Sequence, residues 1–179
     1  MIVIGFSGLP GSGKSSAIEA VKDLGPIITM GDIIRKEAQK RNLPPTAQNL
    51  GMIAKDLRKK YGASIIAEKC VDLIKSSEEN VIFVDGIRSL KEVKIFRNSW
   101  TFPIIAIIMD EKLRYKRLKE RARSDDPLSF TELLKRDNRE LDFGLKEVID
   151  NADYKINNNS TIAELQEKTR KIILNIMNK

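Results

Sequence analysis

Gly8-Leu9-Pro10-Gly11-Ser12-Gly13-Lys14-Ser15 fits the pattern G-x-x-x-x-G-K-[ST] in full. Its flanks agree with it. A β-branched run over 2–6 reads as a buried strand just before it, and helical periodicity follows at Ala17, Ile18, Val21 and Leu24. Each residue type has a physical reason to be there. Glycines let the backbone curl so that successive N–H groups point inward at phosphate oxygens. The N-terminus of the helix that follows adds partial positive charge at the same place. The Lys14 ammonium can reach β- and γ-phosphates, and the Ser15 hydroxyl can ligate Mg2+. Gly8, Pro10, Gly11, Ser12, Gly13, Lys14, Ser15 and Ser16 are therefore expected to cradle the triphosphate of ATP or GTP. The plain alternative is a strand–turn–helix with incidental glycines.

Outward from this loop, short apolar runs alternate with longer helical patterns. Residues 27–29, 81–84, 104–109 and 153–156 are further strand candidates. Helical spacing covers 15–24, 32–41, 46 to about 61, 64–75, 89–97, 111–123, about 130–149 and 161–177. Gly25-Pro26, Pro44-Pro45 and Gly62 punctuate them, and 157–159 reads as a turn. Strands that alternate with helices predict an α/β chain, here a five-stranded parallel sheet with helices on both faces. No internal repeat or linker divides the chain, so residues 1–179 are read as one domain.

Composition narrows the chemistry. Apolar residues make up 41% and charged residues 32% of the 179, an ordinary globular balance. The longest apolar runs, at 81–84 and 104–109, fall far short of the ~20 residues of a spanning helix, so no membrane partner is expected. The net charge of +7 favours anionic partners: nucleotides, nucleic acid or a membrane surface. Aromatics are only 6% and are not interleaved with the basic residues, so no motif indicates nucleic acid. Cys70 is alone, and 1–6 is too short for the apolar core of a signal peptide, which leads to the expectation of a cytoplasmic location. The absence of histidine rules out an imidazole acid–base group and a Ser-His-Asp triad, and with one cysteine it argues against structural zinc. What remains for chemistry is Lys, Arg, Asp, Glu, Ser and backbone amides.

Val81-Ile82-Phe83-Val84-Asp85 is an apolar strand that ends in a carboxylate. Beside a phosphate loop such an Asp holds Mg2+, directly or through water. Read without that context, it is a strand followed by an Asp-Gly turn.

Three landmarks follow the loop in order. Gly31-Asp32-Ile33-Ile34-Arg35 is similar to a G-D-x-x-R acceptor motif, Asp85-Gly86-Ile87-Arg88 to D-G-[FY]-x-R, and Arg117-Leu118-Lys119-Glu120-Arg121 to the R-x-x-x-R that opens a lid. Over about residues 1–160 the chain thus resembles the P-loop nucleoside monophosphate kinases, and among them an archaeal adenylate-kinase-like group. The resemblance implies a three-layer P-loop NTPase fold with a small acceptor-binding flap at about 31–62 and a short lid at about 117–139. It implies transfer of the ATP γ-phosphate, with Mg2+ as cofactor, to a nucleoside monophosphate, AMP foremost. Gly31, Asp32, Arg35, Gly86 and Arg88 would bind the acceptor, with Glu92 beside them. Lys14, Arg88, Arg117 and Arg121 would be the catalytic cations, and Arg117, Arg121 and Arg123 or Arg136 would close over the polyphosphate. Ser15 and Asp85 would hold the metal. Such a site works by positioning and charge neutralisation. A phosphate acceptor is already anionic, so it needs no general base, which suits a chain without histidine.

Residue by residue, alternatives stay open. Arg35 sits in a charged helical pattern and could be a solvated face. Most charges in 112–123 should face solvent, so only some of Arg114, Arg117, Arg121 and Arg123 can face ATP. Arg117 and Arg121 share a face by their four-residue spacing. Met30 stands where the family often has Thr, and Glu92 where it often has a base-reading Gln. An ionised Glu92 could accept from an amino group but not donate, or it could be a helix-surface carboxylate. The lid has no cysteine cluster, which excludes a zinc-bound lid. Leu50, Met52, Ile53 and Leu57 are expected to pack, and lid and flap to move so as to exclude water. Two other readings keep the loop. One is a kinase of another small acceptor such as dephospho-coenzyme A or shikimate. The other is a regulatory or RNA-associated ATP/AMP-binding factor with slow ATPase.

Overall fold

The computed structural model describes residues 1–121 and 126–178. Five strands, β1 (Ile2–Ser7), β2 (Ile27–Thr29), β3 (Val81–Asp85), β4 (Ile104–Ile108) and β5 (Tyr154–Asn157), form one sheet in the order β2-β3-β1-β4-β5. Every pairing is parallel, as the alternation of strands and helices requires. The helices are α1 (Lys14–Glu19), α2 (Met30–Lys40), α3 (Ala47–Tyr61), α4 (Ile65–Lys75), α5 (Leu90–Arg97), α6 (Glu111–Arg121), α7 (Phe130–Asp142), α8 (Leu145–Asp150) and α9 (Ile162–Met177).

The sheet is buried on both sides. On one face Val3, Ile82, Val84 and Ile104 meet Ile34, Ile53, Ile66, Ile74 and Phe96 from α2 to α5, with Val148 from α8. On the other, Ile4, Phe6, Phe83, Ile105 and Ile107 meet Ile18 from α1 and Leu165 and Ile173 from α9. This makes the three layers, and it explains why the strands read as continuous apolar runs. Gly5 is a packing requirement in β1: a Cβ there would stand 2.7 Å from both Ile104 Cδ1 and Phe102 Cζ. Helix starts follow side-chain chemistry. Thr46, Ser89, Ser129 and Thr161 each accept a hydrogen bond from the backbone N–H three residues on, a contact worth about 1 kcal/mol per helix.

Several boundaries differ from the sequence expectation. The helix expected over about 130–149 is two, because Gly144 adopts φ +99 and ends α7 before α8 begins. The first helix stops at Glu19 and continues as turns rather than to Leu24. The second begins at Met30, so Gly31 and Asp32 lie in its first turn. The expected end of the 111–123 helix lies outside the described residues, as does Arg123. In the flap, Ile53 and Leu57 are buried and belong to the main core, and Leu50 packs against it. Met52 does not pack: it is 52% exposed, on the solvent side of α3.

Candidate functional site

The phosphate loop leaves the carboxyl end of β1, the central strand. After β1 the chain turns toward β2, and after β4 toward β5, so the crevice above these strand ends is where ligands of open α/β sheets bind. Two glycines are required by close approach. A Cβ on Gly8 (φ +144) would come 2.4 Å from the Ile107 carbonyl oxygen, and one on Gly13 (φ +102) 2.2 Å from Asn158 Nδ2. The loop is tied from three sides. Asn158 Nδ2 donates to the Ser12 carbonyl at 2.8 Å, Arg114 Nη1 to the Pro10 carbonyl at 3.1 Å, and Lys14 Nζ to the Gly8 carbonyl at 2.7 Å. Burial lowers the Lys14 pKa, and the Arg88 and Arg136 guanidiniums push the same way against the pull of Asp85 and Glu140. A desolvated ammonium within the field of two guanidiniums and two carboxylates gains from a polyanion that supplies further negative charge.

Asp85 ends β3, in register with Phe6 of β1 and Thr29 of β2. Its Oδ1 is buried and has no hydrogen-bond partner among the described residues. Ser15 is exposed in the first turn of α1. A hydroxyl and a carboxylate fit Mg2+, a hard cation that keeps waters and takes phosphate oxygens rather than an all-protein cage. Among the described residues no group of three or more His, Cys, Asp or Glu forms such a cage.

Beyond Asp85, Gly86 (φ +97) turns the chain out of β3 and Arg88 follows. The Arg88 guanidinium pairs through Nε with Glu140 Oε2 at 2.8 Å, while its backbone N–H donates to Glu92 Oε2 at 2.9 Å. Glu92 is not a surface carboxylate: it is 1% exposed, and its other oxygen takes Arg58 Nη2 at 3.2 Å. Each oxygen thus accepts from an arginine, one from a guanidinium and one from a main-chain N–H, and the carboxylate is closed off from solvent. The signal for this was the Ser89-x-x-Glu92 spacing, which marks a helix start. Arg58 in turn lies over the Phe143 ring at 5.0 Å. Gly31, Asp32 and Arg35 open α2 beside the end of β2. There Arg35 Nη1 pairs with Asp32 Oδ1 at 2.6 Å, each side chain 55% exposed. This is the surface ion pair that the charged pattern allowed, one strand away from Asp85.

The arginines expected to close over the polyphosphate separate. Arg117 lies against the loop: its Nη1 would be 3.3 Å from a Cβ on Gly13, and its Nη2 donates to the Ser160 carbonyl at 3.4 Å. Arg121 instead forks onto Asp126, with Nε to Oδ2 at 2.9 Å. The four-residue spacing therefore does not bring both to the loop. Arg136 contributes its charge at Lys14 from α7. Arg114, which the spacing did not favour, is the α6 arginine that touches the loop backbone at Pro10. It is 3% exposed and makes a bidentate pair with Asp137, at 3.0 and 2.6 Å. Asn158, read only as part of a turn, is the second residue that sequence reasoning missed. It is fully buried, its backbone N–H donates to the Ile108 carbonyl at 2.7 Å, and its amide holds the loop. Neither residue belongs to a contiguous motif: each meets the loop over more than a hundred residues of separation.

Known proteins of similar sequence and structure agree with this fold. The model of an AAA domain family (AAA_17) matches residues 7–134, from the loop into α7. A UPF0200 protein of Methanosarcina mazei is 39% identical over 99% of this chain and 96% of its own length. A UPF0200/UPF0201 protein of Archaeoglobus fulgidus is 42% identical over 98% of this chain, which spans only 56% of that longer protein. Among solved structures, TT1252 from Thermus thermophilus has a TM-score of 0.64 at 18% identity, covering 97% of this chain and 96% of its own. An unliganded sugar kinase from Janibacter sp. has a TM-score of 0.54 at 14% identity, covering 96% and 93%. These likenesses bear out the three-layer α/β fold and a P-loop chain, without singling out adenylate kinases. With the loop, its strand and its matched relatives together, the chain belongs to the UPF0200 family of P-loop proteins.

Proposed function

We propose that the protein transfers the γ-phosphoryl group of Mg-ATP to a nucleoside monophosphate, with AMP the first acceptor to test. The observation that carries this reading is the set of charges acting on Lys14 at the start of α1: Asp85 and Arg88 from the end of β3, and Arg136 and Glu140 from α7. Loop amides and Lys14 would take the triphosphate. Arg117, beside Gly13, and Arg136 would neutralise charge that spreads over the transferring group. Ser15 and the orphaned Asp85 oxygen would hold Mg2+, which supplies charge neutralisation on the phosphate oxygens. Arg88 would take the acceptor's phosphate, with Gly31, Asp32, Arg35 and Gly86 forming the adjoining wall. Arg121 would act from the lid. The acceptor oxygen is anionic at neutral pH, so the step needs alignment rather than a base. A reducing cytoplasm suits the lone buried Cys70, whose thiol burial pushes up to about 12. No described helix is long and apolar enough to cross a membrane.

The test is incubation with Mg-ATP and each monophosphate in turn, with diphosphate formation quantified against ATP hydrolysis alone. Rapid formation of one diphosphate is the expected result. Phosphorylation of dephospho-coenzyme A instead would move the acceptor within the same fold. Slow, acceptor-independent hydrolysis would select the regulatory or RNA-associated reading, which the +7 charge allows.

A further inference from the structure

We infer that Glu140 is a positioning residue that stands in for the acceptor's phosphate: its carboxylate holds the Arg88 guanidinium until an incoming phosphate takes its place. The inference rests on the acceptor role given above to Arg88. The two ends of Arg88 are held in different ways. Its backbone is fixed by Glu92, which is 1% exposed and locked a second time by Arg58. Its guanidinium is held at 2.8 Å by Glu140, with the arginine side chain 33% exposed and the glutamate 14%. The main-chain anchor is thus permanent, whereas the side-chain partner is reachable from solvent and exchangeable.

The carboxylate also stands in a field suited to an anion. The charges felt at Lys14 are those of Asp85, Arg88, Glu140 and Arg136. With Lys14 itself this makes three cations against two carboxylates, one of which, Asp85, the proposed site assigns to the metal. A phosphate monoester carries about −1.5 to −2 charges and three acceptor oxygens. It can engage a guanidinium through two parallel hydrogen bonds, where Glu140 engages Arg88 at Nε. The phosphate therefore displaces the carboxylate, but at a cost. If the pair is formed nine-tenths of the time, apparent acceptor affinity falls about tenfold. Glu140 lies four residues after Arg136 on α7, hence on the same face, so this exchange reports on the helix that brings Arg136 to the triphosphate.

Calorimetric titration of AMP into the full-length protein, saturated with Mg2+ and a non-hydrolysable ATP analogue, tests the exchange. Glu140→Gln keeps the shape and removes the charge. Glu140→Asp keeps the charge and, one methylene shorter, withdraws it from Arg88. Both should tighten AMP about five- to tenfold, well beyond any change for the ATP analogue, and Glu140→Gln should add nothing in an Arg88→Gln background. Unchanged AMP affinity in both variants overturns the inference. So does an equal gain in the Arg88→Gln background or an equal gain for the ATP analogue, because either marks a general charge effect. Binding of the analogue with no monophosphate bound by any form overturns the acceptor reading itself, and the inference with it. Should Glu140→Gln fail to fold, titration of Glu140→Asp decides by the same criterion: tightened AMP supports the exchange and unchanged AMP overturns it.

Discussion

The two halves of the proposed site are built by different physics. The triphosphate half is tied to the interior: loop carbonyls receive Asn158, Arg114 and Lys14, and Arg114 is itself locked by buried Asp137. The acceptor half presents ion pairs that water can reach, Arg35 with Asp32 and Arg88 with Glu140. Buried, multiply bonded groups hold one geometry because every alternative strands a charge or a polar atom. Solvent-exposed pairs are worth little and exchange partners readily. One half thus suits a constant ligand feature, a polyphosphate, and the other a partner that arrives and leaves.

The sharpest way to break this contrast is at Lys14. Lys14→Ala should lower phosphoryl transfer by about three orders of magnitude, the scale of losing one charged transition-state contact, with the fold retained. Burial holds the Lys14 pKa below 10.5, so the unfolded chain binds the extra proton between the two pKa values. Stability of the ligand-free protein should therefore rise with pH toward 10.5 in the wild type more than in Lys14→Ala, as measured by thermal melts across that range. A parallel pH slope in both would contradict the buried charge.

Asp137→Asn leaves the Arg114 guanidinium buried and uncompensated, and should cost about 3 kcal/mol in denaturant unfolding. A loss under about 0.5 kcal/mol would put this half in the same class as the exposed pairs. Arg88→Ala should raise the acceptor KM about 100-fold, the scale of losing a charged hydrogen-bonded partner, with acceptor-independent hydrolysis unchanged. An equal fall in hydrolysis would assign Arg88 to the triphosphate. Arg35→Ala, at an exposed pair, should shift the acceptor KM only about threefold and stability by under about 1 kcal/mol. An effect of about 100-fold there would make α2 the principal acceptor clamp.

The two halves also differ in how legible they were in sequence. The loop, its strand, the Asp85 strand end and the parallel α/β plan are local patterns, in which backbone curvature and apolar periodicity dictate residue types at short spacing. Side-chain partners are another matter. Helical spacing paired Arg117 with Arg121, yet Arg117 reaches Ser160 while Arg121 turns to Asp126. Glu92 looked like a choice between base contact and surface, and it is buried between two arginines. A charged residue's partner depends on which distant element supplies the opposite charge, and no local pattern records that.

Residue order alone therefore determined the phosphate cradle, the five parallel strands and the residue types available for chemistry, because glycine positions, apolar runs and helix caps are written in residues a few positions apart. Only the tertiary structure decided that Gly144 would divide one helix into two short ones, that Asn158 and Arg114 would grip the loop, and that Glu140 would meet Arg88. Those outcomes depend on how β5, α6 and α7 dock over the sheet. Docking is set by the summed burial of many side chains, a quantity no single segment carries.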